Sequence, residues 1–183
     1  VLLPNSGVGH NGLQSPQDLI NDYLYLVDAN CKLLIPHFES IKHFSATNNK
    51  GLLIQGQSQL AIMAQEAIQV FNHYMTIKKD SLTNLIVGGK GIGATVALFL
   101  GAISPFVNGV FADNPIILGK ESTHEALMIP YFNRETDMEE IIAFNCNQNL
   151  FLVTKEKVAL PKVNNKNCLQ LQNSSLSSSK LKN

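Results

Sequence analysis

The stretch Leu85-Ile86-Val87-Gly88-Gly89-Lys90-Gly91-Ile92-Gly93-Ala94 is where residue types and spacing most nearly spell out chemistry. It reads as a strand that enters a glycine-rich turn and leaves as a helix. Glycine adopts positive φ without steric cost and lets backbone or ligand approach closely. The helix that follows offers free N–H groups and the positive end of its dipole. Two chemistries fit this frame. Gly89-Lys90-Gly91-Ile92-Gly93-Ala94 matches GxGxxA, a turn that holds the pyrophosphate of NAD(P) or FAD, and Asp113 follows at the distance of the ribose-binding acid. That motif normally opens the first strand–helix unit, whereas two such units precede it here. The same residues also fit a nucleophile elbow, GxSxG, with Gly91 where the nucleophile should stand. Glycine has no side chain with which to attack a carbonyl. In a third reading, without chemistry, the glycines only let a tight turn pack its helix on the sheet.

Other candidates each have a plainer explanation beside the functional one. Ser58, in Gly56-Gln57-Ser58-Gln59, lacks a following glycine at elbow spacing and reads as the N-cap of the next helix. Lys90 would stand at the mouth of a pocket, bound to a carboxylate or phosphate, or else be solvated. Asp113 closes a strand at the sheet's carboxyl edge, where ligands of open α/β sheets bind, yet Asp113-Asn114-Pro115 also reads as an Asx-turn. Glu139 and Glu140 are adjacent on a helix, point apart and form no paired-carboxylate site. The three cysteines, Cys31, Cys146 and Cys168, lie far apart without a CxxC; they read as isolated thiols, although one disulfide could form. His10, His37, His43, His73 and His124 are scattered and form no HxH or HxxxH pair for a metal.

Composition narrows the classes further. With 45% hydrophobic and 15% charged residues, the 183-residue chain can bury one ordinary core. Lys+Arg and Asp+Glu are both 14, and the single cationic cluster, Lys155 to Lys166, is broken by apolar residues and Pro161. It reads as a solvated stretch, so nucleic acid is not an expected partner. No apolar run reaches the roughly eighteen residues needed to span a bilayer. The chain opens on Val1-Leu2-Leu3, inside an apolar run and without Met or signal peptide, which reads as a missing true start.

Positioning these residues requires a particular set of elements. Apolar runs at 1–4, 32–36, 84–88, 107–112 and 149–154 are short, bounded by Gly, Pro, Asn or polar residues, and suit strands buried on both faces of a parallel sheet. Between them lie helical patterns. Ser15-Pro16-Gln17-Asp18 opens one helix, with Leu19, Ile20, Tyr23, Leu24 and Val27 in a stripe. Another spans 58–75, with Leu60, Met63, Ala67, Val70/Phe71 and Tyr74 at helical steps. Residues 94–103 are apolar all round. Thr136-Asp137-Met138-Glu139 reads as a capping box that turns Met138, Ile141 and Ile142 inward. Strand–helix alternation with right-handed crossovers predicts an α/β fold with a doubly wound, mostly parallel sheet over residues 1–162. Residues 163–183 read as a polar Ser/Asn/Lys-rich tail.

The whole order from Val1 to about Pro161 resembles the α/β-hydrolase fold, and within it the acetyl xylan esterase-like branch. Val1-Leu-Leu-Pro-Asn-Ser-Gly-Val-Gly-His10 is similar to the third strand and its glycine-rich oxyanion loop. Leu33-Leu-Ile-Pro-His37 is similar to the next strand, with His37 in place of a usual Asp. Ile54-Gln-Gly-Gln-Ser-Gln-Leu60 resembles the approach to the elbow. Ile129-Pro-Tyr-Phe-Asn-Arg-Glu-Thr-Asp137, with Glu140-Ile-Ile-Ala143, resembles the segment leading to the acid-bearing strand. Leu150-Phe-Leu-Val-Thr-Lys-Glu-Lys-Val-Ala-Leu-Pro161 resembles that strand and its exit loop.

The resemblance implies a three-layer sandwich and an acyl-enzyme ester hydrolase, with extracytoplasmic location allowed. The departures imply loss of that chemistry. Gly91 fills the nucleophile position, Lys157 and Val158 stand where the acid would lie, and no histidine follows His124. Without base and nucleophile the acyl-enzyme route does not run. An oxyanion pocket could survive around Ser6, Gly7, Gly9, His10, Lys90, Gly91 and Ile92, because backbone N–H groups need no particular side chain. Three functions are therefore expected in order: an impaired hydrolase homologue that acts, without a cofactor, as a structural module or as a binding module for a small molecule or protein, a carboxylic ester hydrolase, and an NAD(P)- or FAD-binding oxidoreductase using Gly89–Ala94.

Overall fold

The computed structural model describes residues 2–3, 21, 34–35, 46–78, 84–116, 137–154 and 168–172. Within them five strands form one parallel sheet: β1 (Leu2–Leu3), β2 (Ile86–Lys90), β3 (Gly109–Asp113), β4 (Leu150–Thr154) and β5 (Cys168–Gln172). The strands lie side by side in chain order. Four helices accompany them: α1 (Ala46–Ile54), α2 (Gln59–Lys78), α3 (Ile92–Ile103) and α4 (Met138–Cys146). The α/β class and parallel sheet expected from the apolar runs are present.

Right-handed crossovers that add strands in one direction put every crossover helix on one face of the sheet. The packing follows that rule. α3 sits on β1, β2 and β3, with α2 against one flank and α4, which also touches β4, against the other. The double winding expected from the alternation needs a reversal of strand order, and the described strands contain none. Of the run at 32–36, only Leu34 and Ile35 are described; they are half-buried and outside any strand. Asn21, the described residue of the expected 16–30 helix, is helical and exposed.

The core lies between the helix layer and the sheet. Parallel register aligns Val87, Val110 and Leu150 in one row and Gly89, Ala112 and Leu152 in the next. Side chains alternate along a strand, so both rows share a face. Leu60, Met63, Ala64 and Ala67 of α2 pack inward at three- and four-residue steps, with Ile92, Val96, Leu98 and Leu100 of α3 and Met138 and Ile142 of α4. Each large side chain buried this way contributes about 1.5–3 kcal/mol. Ile141, expected to point inward, is half-buried and packs against this core.

Three local readings need correction. α4 is capped by Asp137, whose carboxylate accepts from the Glu140 N–H at 2.9 Å, so the cap falls one residue later than a Thr136 box would put it. Cys146 and Cys168 are not isolated thiols: they form a disulfide across 22 positions, joining the end of α4 to the start of β5. And Cys168–Gln172, placed by composition in a loose tail, pairs with β4 over its full length. Leu169 and Leu171 alternate with Gln170 and Gln172, a strand signature hidden by polar surroundings.

Candidate functional site

The sharpest backbone feature stands at the carboxyl end of β2. The strand ends at Lys90, the helix starts at Ile92, and Gly91 alone makes the turn with φ 58° and ψ −120°. A residue with a side chain held there would be strained, and glycine is not. Because α3 is buried along nearly its whole length, the chain must reverse at once onto the sheet. Gly91 meets that demand.

Hydrogen bonds fix the turn from both sides. The Gly91 N–H donates to the Asp113 carbonyl at 2.9 Å, tying it to the end of β3. The Gly91 carbonyl accepts the first helical bond, from the Thr95 N–H at 3.1 Å. Thr95 is wholly buried, and its hydroxyl lies 3.3 Å from the same carbonyl and 3.1 Å from that of Ile116. Its one proton can serve either carbonyl, while its oxygen accepts from the Ile116 N–H at 2.9 Å. Thr95 therefore bolts the exit of β3 to the turn. It is the one hydroxyl in the apolar run at 94–103, and that isolation was the signal in the sequence.

Pro115 excludes the Asx-turn expected at Asp113. Such a turn needs an N–H two residues on, and Pro115 has none. Instead the Asp113 carboxylate takes the Asn114 side-chain amide at 2.6 Å, and Asn114 adopts φ 47° with its N–H on the Val153 carbonyl.

The expected site residues are distributed as follows. Gly91 makes the turn and the fully buried Ile92 opens α3; Lys90 is half-buried at the strand's last position, in register with Asp113. Leu3, in register with Gly89, ends β1 at the same sheet edge. Ser6, Gly7, Gly9 and His10 lie outside the described residues, as do Lys157 and Val158. Ser58 is buried, and its Oγ accepts from the Ala61 N–H at 3.1 Å, so it caps α2. His73, the one histidine in the described part, is exposed on α2. No three of His, Cys, Asp and Glu come together there as a metal site. None of its helices is long and apolar enough to cross a membrane.

No known protein family, curated protein or solved structure matches the chain. The turn must be read from its own geometry. The N–H groups of Ile92, Gly93 and Ala94 lack intrahelical acceptors by helix geometry, and the dipole adds positive potential at that end. This can hold negative charge on an oxygen. Nothing on Gly91 can attack. Gly89, the first glycine of GxGxxA, lies inside the ladder, paired with Leu3 and Ala112, and does not form the turn. Two apolar grooves lie elsewhere. One of about 470 Å³ runs between α2 and α3 beside Leu60, Ile68, Phe99 and Ile103, and one of about 190 Å³ is lined by Phe71, Leu85, Leu100 and Phe106.

Proposed function

We propose that this chain is a catalytically impaired α/β-hydrolase homologue that serves as a binding or structural module. One observation carries the reading: a tight strand-to-helix turn in the frame of a nucleophile elbow whose apex, Gly91 at φ 58°, has no nucleophile. The neighbouring strands support it. β1, which the resemblance equates with the strand before the oxyanion loop, ends beside the elbow strand at the same edge. The dinucleotide alternative is weaker, because its first glycine is spent in the ladder and the described strands offer no crevice at a reversal of order.

The three-layer sandwich belongs to this proposal. The sheet face opposite α2, α3 and α4 carries Ile86, Phe111, Phe151 and Leu169, with the two rings stacked at 5.4 Å between centroids. Ile86 is 56% and Leu169 51% exposed.

The test uses the purified full chain with p-nitrophenyl acetate and a fluorophosphonate probe. Neither hydrolysis above buffer nor labelling is expected. Turnover well above background would overturn the reading in favour of a working ester hydrolase. A melting temperature raised by millimolar NAD(P) or FAD would favour the oxidoreductase instead.

A further inference from the structure

β5 is the sheet's edge strand, and its ladder runs to β4 alone among the described strands. It reaches that position after a connection through residues 155–167. Closing such a connection costs chain entropy that an edge ladder must offset. Among its described side chains, only Cys168 is packed against the core. Leu169 is half exposed, and Gln170 Nε2 donates to Thr154 Oγ1 at 3.2 Å. Against this stands one covalent tie, at the first residue of the strand: Cys168 to Cys146, which is 1% exposed at the end of α4 and belongs to the core.

We propose that the Cys146–Cys168 disulfide is a redox latch on β5. Oxidised, the sheet has five strands; reduced, β5 leaves and the sheet has four. Cys168, half-buried where Cys146 is 1% exposed, is the point of attack by an external dithiol. The dithiol's thiolate bonds to Cys168 Sγ, the S–S bond breaks, and Cys146 leaves as a thiolate that takes up a proton. The dithiol's second thiol loses its proton and displaces Cys168, which ends as a thiol. The dithiol is thereby oxidised to a cyclic disulfide and the protein is reduced by two electrons. Release of β5 uncovers the hydrogen-bonding edge of β4 from Leu150 to Thr154, a template for another strand. The latch makes the fold depend on compartment: intact where thiols are oxidised, open where they are kept reduced.

Dithiothreitol serves as the probe on the full chain. Denatured without reductant, the protein should titrate one thiol of its three, and all three after reduction. Amide exchange followed by mass spectrometry should then rise roughly tenfold or more in 168–172 on reduction, while 86–90 and 109–113 keep their rates. A Cys146→Ser/Cys168→Ser double variant should exchange like the reduced protein and ignore dithiothreitol. Three thiols without reductant, unchanged exchange at β5, or equal acceleration in every strand would each overturn the latch.

Discussion

The Gly91 N–H donates to the Asp113 carbonyl at 2.9 Å, so the apex of the elbow is held by the last residue of the neighbouring strand. This bond joins the two segments that the sequence singles out for chemistry, and it does so through backbone atoms. Asp113 therefore positions the turn whatever its carboxylate does.

Gly91→Ala tests the backbone strain at that apex. The variant should lose about 1–3 kcal/mol of stability in urea unfolding, because its φ is one that residues with a side chain rarely adopt. A loss within a few tenths of a kcal/mol would mean that the turn relaxes freely. Gly91→Ser carries the same strain and should gain no esterase activity, since an unassisted serine is a weak nucleophile.

Thr95→Val keeps the shape and removes the hydroxyl that joins Gly91, Thr95 and Ile116. The part-buried Ile116 amide loses its acceptor, and the expected cost is about 1–3 kcal/mol. Thr95→Ser should recover most of it. Equal stability of the Val and Ser variants would show that the hydroxyl contributes nothing.

Gly101→Ala separates two opposing effects by sign. Helix propensity alone favours alanine by about 1 kcal/mol. Yet a Cβ there would collide with the Asn145 side chain and with Val110 Cγ2, while Asn145 is held by the Leu98 and Ile141 carbonyls at 2.9 and 2.8 Å. Overpacking of about 1–3 kcal/mol should win. A raised melting temperature would refute the close approach of α3 and α4.

Ser58→Ala should cost roughly 1 kcal/mol, the usual loss of an N-cap, with no change in any ester hydrolysis. Thermal melts and the p-nitrophenyl acetate assay on one preparation give both readouts. If activity were present and disappeared with this variant, Ser58 would have to be more than a cap.

Much of the fold is legible in the residues because it depends on local pattern. Runs of Leu, Ile, Val and Phe announce β2, β3 and β4 within two residues of their observed limits, and the Leu60–Met63–Ala67 spacing announces α2. Where the pattern is weak, the reading fails. α1 carries two asparagines and a glycine in nine residues and shows no apolar stripe. β5 hides in polar surroundings, and only its alternation marks it. The site divides in the same way: the strand, the glycine and the helix start could be read from sequence, whereas the lone hydroxyl of Thr95 marks only one end of its network, because its partner Ile116 lies 21 positions away.

By itself the sequence determined the strand–turn–helix unit at Gly91 and the absence of a nucleophile there. Short-range sterics and the period of apolar residues are enough for that. Tertiary structure alone decided which strands lie side by side, that the described helices share one face, that Asp113 holds the elbow, and that Cys146 finds Cys168. Those are pairings between distant segments, selected by how whole elements pack, and no local window of residues encodes them.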